Sequence, residues 1–257
     1  MRTSYGPSTL GFYMTINYGQ MTSDALWGCE FTEIPNSTEM QFVRLCHVHV
    51  SEISQISKML AISVVDTSWM VDLDEGAREA YEYTVQETAG LLVQIFNAAE
   101  KAGTIVDDFG ELMVSMGAAK SLEVLFSHTL IPIAELWKPQ AKQNEGFDFH
   151  SVCRADHVNF GEAKYSSNST TYGIALDQAS DFLSAKKHKR DWVHLTSLAS
   201  PASIQNLNNN LHGVIAAFSI HAKDHLTIYK NALQRAAEFA KEKNVSFVYL
   251  VGVTHED

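Results

Sequence analysis

From residue 147 onward, apolar runs alternate with amphipathic helical patterns, and this alternation constrains the fold more than any other feature of the chain. "FDFHSVC" (147–153) and "HVNFGEAKYS" (157–166) read as short strands joined by a tight "RAD" link. "IALDQASDFLSAKK" (174–187) is an amphipathic helix, and "HGVIAAFSIHA" (212–222) is an apolar strand. "IYKNALQRAAEFAKEKN" (228–244) is a helix, and "VSFVYLVGV" (245–253) is a final buried strand. Each helix must bury its apolar stripe against something, and the strands are the available surface. The order predicts an α/β fold, an α+β mixed sheet flanked by helices.

The first half is patterned differently. "QFVRLCHVHVSEI" (41–53) alternates as a strand does. In 75–103, Tyr81, Val85, Ala89, Leu92 and Phe96 recur at helical spacing, and Gly103 is placed to end the helix. Residues 107–130 read as helical with a break or bend near Gly117, "IPIAELW" (131–137) as a strand, and "KPQAKQNEG" (138–146) as a polar turn. Residues 1–40 show little periodicity and read as irregular with an edge strand. We expect an N-terminal lobe over 1–103, suited to docking a partner, and a second domain over 104–257.

Several classes of protein are disfavoured. No run of 18 apolar residues predicts a membrane span, and "MRTSYGPSTLGFYMTINYGQ" lacks the basic-then-apolar order of a secretory signal. Cys29, Cys46 and Cys153 are odd in number and widely spaced, which argues against a disulfide framework and for a reducing, cytoplasmic setting. Residues 1–137 carry a net charge of −12 and residues 138–257 a net +1. A chain that held nucleic acid unaided would show a positive excess. Either the substrate is no polyanion, or another protein holds it.

The chemistry-bearing constellation lies in the paired strands. Glu162 and Lys164 are two residues apart in "FGEAKYSS", so strand alternation points them the same way, with Ala163 opposite. Asp148, fourteen residues before Glu162, can be brought beside it by the hairpin. Two carboxylates suit Mg²⁺ (or Mn²⁺), which takes hard oxygen ligands and keeps several waters. A nearby lysine can orient an attacking water or offset charge on a phosphate. The alternative is an exposed ion pair on a solvated strand. The apolar residues before the pair weigh against that.

Other candidates carry less. His150, Cys153 and His157 have no evident fourth partner for zinc. His47 and His49 read as ordinary strand histidines. The serine and histidines of "AFSIHAKDH" follow no nucleophile elbow. "KKHKR" contributes Lys186, Lys187, Lys189 and Arg190, the one dense basic run, which is either a solvated helix end or a set of phosphate contacts.

An Asp, a Glu-x-Lys closing a strand and a following helix with a glutamine resemble the PD-(D/E)xK nuclease superfamily, over roughly Asp108 to Phe182. The resemblance implies a restriction-endonuclease-like core with an N-terminal extension and a metal-dependent DNA nuclease activity. It implies a catalytic set of Asp148, Glu162, Lys164, the helix-borne Gln178 and a further carboxylate. That carboxylate is Glu111, in "DDFGEL", with Glu123 as its rival. The customary proline before the aspartate is replaced by Phe147. A narrower resemblance is to the nuclease subunits of Hachiman anti-phage systems. It implies a helicase partner that holds the DNA, which would account for the acidic first half. Two other readings stand beside these: a non-catalytic interaction subunit that keeps the fold, and an unrelated α/β enzyme.

Overall fold

The computed structural model describes residues 17–105, 108–138 and 146–256. Strands β1 (Met21–Asp24), β2 (Cys29–Ile34) and β3 (Val43–Val50) come first, followed by helices α1 (Ile53–Val65), α2 (Glu75–Ala102) and α3 (Phe109–Phe126). Then come β4 (Thr129–Ile131), the single-turn α4 (Ala134–Trp137), β5 (Phe149–Val152) and β6 (Val158–Lys164). The chain continues through α5 (Thr171–Ser184), α6 (His188–Leu198) and α7 (Pro201–Asn208) to β7 (His212–Ser219), α8 (His225–Lys243) and β8 (Phe247–His255).

All the strands join one mixed sheet in the order β1-β2-β3-β8-β7-β6-β5-β4. The central four, β3, β8, β7 and β6, are parallel, and antiparallel strands extend both edges. β7 is buried along its whole length, as a strand covered on both faces must be. The expected boundary at residue 103 does not divide this sheet, because β1–β3 pair into it through β3 and β8.

Helices cover both faces. On one, Gly117 of α3 approaches Val48 of β3. On the other, Tyr229 of α8 packs against Phe218 of β7 and bonds to His47 of β3. Val48 and His47 are neighbours on one strand, so alternation puts α3 and α8 on opposite sides.

The sequence signals explain most boundaries. α2 begins where the Asp74 side chain accepts from the Ala77 N–H and ends at Gly103, whose φ of 65° lets its N–H reach the Ala99 carbonyl. Ser200 and Pro201 start α7 in the same way, as N-cap and first helical residue. The sequence patterning does not anticipate α6 and α7.

Two expectations need correction. α3 runs without interruption through Gly117, because a helix buried along much of its surface gains more from packing than the ~1 kcal/mol a glycine costs. Residues 131–137 are not a strand. Pro132 has no N–H to continue the ladder, and the chain turns into α4, with Trp137 Nε1 donating to the Pro132 carbonyl at 2.7 Å. Most of the expected polar turn at 138–146, and the first 16 residues, lie outside the described residues.

Candidate active site

The constellation forms where β5 begins and β6 ends. β5 and β6 are antiparallel with Phe149 opposite Gly161, so Asp148, just ahead of β5, stands across from Glu162. Asp148 continues the ladder with its side chain. Its Oδ2 accepts the Ala163 N–H at 2.8 Å, in the place a strand carbonyl would otherwise fill. The Phe147 carbonyl is meanwhile taken by Lys138 Nζ at 2.6 Å.

Glu162 and Lys164 share a face, as alternation requires. Glu162 is fully buried, with Lys164 Nζ 3.0 Å from its Oε1. That contact is an ion pair, and neither oxygen of Glu162 has a hydrogen bond among the described residues. Burial, then the nearby Asp148 charge, raises the Glu162 carboxyl well above its usual range, with Lys164 opposing. Asp148 is raised too, chiefly by burial, despite the Ala163 hydrogen bond and Lys164. Burial alone would pull Lys164 down, but Glu162, Asp148 and Glu111 together outweigh it and hold the ammonium above its ordinary value. Lys164 is therefore a cation at neutral pH, suited to orienting and neutralising rather than to removing protons.

Glu111 belongs to this group and Glu123 does not. Glu111 Oε1 is 3.4 Å from Lys164 Nζ. Glu123 lies twelve residues further along the same helix, about 18 Å away at 1.5 Å per residue, and pairs with Lys120 at 2.6 Å. Gly110 makes the close approach possible. A Cβ there would meet the Tyr165 ring at 2.5 Å, so only glycine lets the first turn of α3 settle against the residue after Lys164.

Gln178 is half-buried on α5 in a groove with Ile174, Asp181, Phe182 and Lys187, on the helix that follows β6. The basic run forms the junction between α5 and α6. Lys186 turns the chain with a φ of 57°, Lys187 Nζ lies 4.3 Å over the Phe182 ring, and Lys189 Nζ lies 5.2 Å over Trp192. Lys186, Lys189 and Arg190 are exposed.

Sequence reasoning missed Glu135. It lies on α4, whose first N–H bonds the Asp148 carbonyl at 3.0 Å. Burial, reinforced by Asp148, raises its carboxyl to about 8. The available signal was an acid inside the apolar run "IPIAELW", which had been assigned to a strand. Also missed was a buried network next door. Asp191 of α6 lies 3.2 Å from Lys138 Nζ and 3.0 Å from His150 Nε2.

Among the described residues, no three His, Cys, Asp or Glu side chains stand together as a ready-made metal cage. Two facing carboxylates, one with both oxygens unsatisfied, nevertheless match what Mg²⁺ takes from a protein: one or two carboxylates, the other positions going to water or phosphate. No described helix is long and apolar enough to cross a membrane. The chain matches no family model, no curated protein and no solved structure.

Proposed function

We propose that this chain is a metal-dependent DNA nuclease with a restriction-endonuclease-like core, the cutting subunit of an anti-phage complex in which a helicase controls access to DNA. The observation that carries the reading is Glu162: a wholly buried carboxylate with unsatisfied oxygens, across from Asp148 and 3.0 Å from Lys164. A stable fold gains little from such a group, because a buried carboxylate left without hydrogen bonds is costly even beside one cation. A bound cation would offset that cost.

Asp148 and Glu162 would hold Mg²⁺ (or Mn²⁺), whose chemistry is to acidify a bound water and stabilise charge on a phosphoryl oxygen. Lys164, kept charged by its neighbours, orients the attacking water and offsets the phosphate. Glu111 holds Lys164 in place from the first turn of α3. Gln178, in its groove on α5, would contact the substrate from the helix that follows β6. Lys186, Lys187, Lys189 and Arg190 contact the phosphate backbone beyond it. The net charge of −12 on residues 1–137 repels DNA within a Debye length of ~8–10 Å, so delivery falls to the basic, DNA-translocating partner.

The test is cleavage of duplex DNA by the purified chain with Mg²⁺, alone and with a helicase subunit of the kind the resemblance implies. Cleavage that needs both Mg²⁺ and the partner, and is lost in E162A, supports the reading. Metal-independent cleavage, or full activity in E162A, rejects the site. Equal cleavage without the helicase rejects the partner dependence. Reversing the charges of the basic run should weaken binding to all sequences alike and flatten its salt dependence.

A further inference from the structure

A second concave site lies at the opposite end of the strands, where the parallel strands β3 and β8 begin. It is a groove of about 400 Å³, within the range of small-molecule sites. Arg44 at the start of β3, Phe247 and Tyr249 on β8, Phe126 at the end of α3, His128 just after it, and Arg154 after β5 line it. Glu111 lies in the first turn of α3 and Phe126 at its end, so about 22 Å of helix separates this groove from the Glu111–Lys164 contact.

The walls are aromatic and the rim is cationic. The Tyr249 ring meets His128 edge-on at 4.7 Å and Phe126 at 5.9 Å. The Arg44 guanidinium lies 4.8 Å over the Phe126 ring, and Arg154 is anchored by a 2.7 Å bond from Nη2 to Ser127 Oγ. Both guanidinium groups therefore converge on the Phe126–Ser127 corner. The Arg44 charge is only loosely engaged: Glu33 is 3.7 Å away, and both side chains are about 40% exposed (42% and 40%).

Inside the rim is an unsatisfied polar atom. His128 is 4% exposed, its Nδ1 is 2.9 Å from Ser151 Oγ, and its Nε2 has no hydrogen-bond partner among the described residues. Burial lowers its pKa to about 4, so the ring is neutral at physiological pH. An apolar packing site does not need two arginines, and a salt-bridge site does not need three aromatic rings around a buried imidazole. Together they match a planar base that stacks and hydrogen-bonds while its phosphate meets guanidinium.

We propose that this groove binds a nucleotide, with the base against Phe126, Tyr249 and His128 and the phosphate at Arg44 and Arg154. The site is separate from Asp148 and Glu162 and does not depend on the nuclease reading. The same chemistry is present in a free mononucleotide and in a single nucleic-acid strand.

The experiment is calorimetric titration of the full chain, carrying E162A to prevent cleavage, with adenosine 5′-monophosphate and separately with a thymidine hexanucleotide. Arg44→Glu and Arg154→Glu alter exposed side chains and leave the core intact. The His128 ring resonances are followed in parallel. Saturable binding that drops about tenfold or more in each arginine variant, is unchanged in R78E, a control charge reversal on α2 outside the groove, and shifts the His128 signals supports the site. Binding by the mononucleotide identifies the free ligand, and binding by the hexanucleotide alone identifies the strand. Failure of both to bind at millimolar concentration, or binding that ignores R44E and R154E, overturns the proposal. Loss of DNA cleavage in E162A with nucleotide binding retained would separate this result from the fate of the nuclease reading.

Discussion

Two buried carboxylates flank the β5–β6 pair, and the protein treats them in opposite ways. Asp191 faces His150 and Lys138, and both partners bond it. Burial pushes its carboxyl up, but His150 and Lys138 outweigh that and hold it below its usual range. The His150 ring is itself pulled down by burial, so it is a neutral imidazole whose Nε2–H donates to Asp191. Glu162, on β6, has the same kind of neighbour in Lys164, at 3.0 Å, and is pushed up instead. The difference lies in the geometry of the bonds and in the company. Asp191 accepts from His150 and pairs with Lys138, while Glu162 pairs with Lys164 and faces Asp148. A satisfied buried carboxylate stabilises the fold, and an unsatisfied one costs stability, which a functional site can tolerate.

The largest expected effect separates the two on activity. E162Q should lower Mg²⁺-dependent cleavage about 10³-fold while leaving the circular dichroism spectrum unchanged. A variant retaining wild-type rates would place both carboxylates in the structural class.

Stability should sort them the other way. D191A leaves Lys138 buried without its partner and should cost about 3–5 kcal/mol, read from the urea midpoint. If D191A unfolds no more easily than wild type, the Asp191 network contributes nothing and the comparison fails.

E162Q, by contrast, removes an unsatisfied charge and should make the metal-free protein about 1–3 kcal/mol more stable at pH 8. A destabilised E162Q would mean that Lys164 pairs with Glu162 far better than its geometry indicates.

The smallest effect is a pH signature of opposite sign at the two sites. Glu135, raised from 4.5 to about 8, contributes stability that is fully present below pH 4.5 and lost as pH rises through 8. Asp191, lowered from 3.8, contributes stability present above that value and lost as pH falls. Thermal midpoints should therefore decline from about pH 5 to pH 8, and E135Q should flatten that limb while leaving the acid limb alone. A slope unaffected by E135Q would assign it to other groups.

Much of the fold was legible from the chain because its signals are local. Alternation marked β3, β6, β7 and β8, helical spacing marked α2 and α8, and Asp74 and Gly103 act within a few residues of themselves. The pairing of Asp148 with Glu162 was legible too, since a short hairpin leaves little choice of register. What failed was long-range or competed with a local cue. α3 passes through Gly117 because its packing, invisible in one dimension, outweighs glycine's propensity. Residues 131–137 look like a strand until Pro132 and the bond from Trp137 turn them into a helix.

The sequence by itself determined which residue types could do chemistry and that Glu162 and Lys164 share a face, because side-chain alternation follows from backbone geometry. Only the tertiary structure decided between Glu111 and Glu123, brought Glu135 beside Asp148, and joined Lys138, His150 and Asp191 from three separate segments. It alone also decided that Glu162 is left unsatisfied while Asp191 is not. The reason is physical: burial and bond angle set the charge state of a carboxylate, and both are properties of its surroundings in space rather than of its neighbours in sequence.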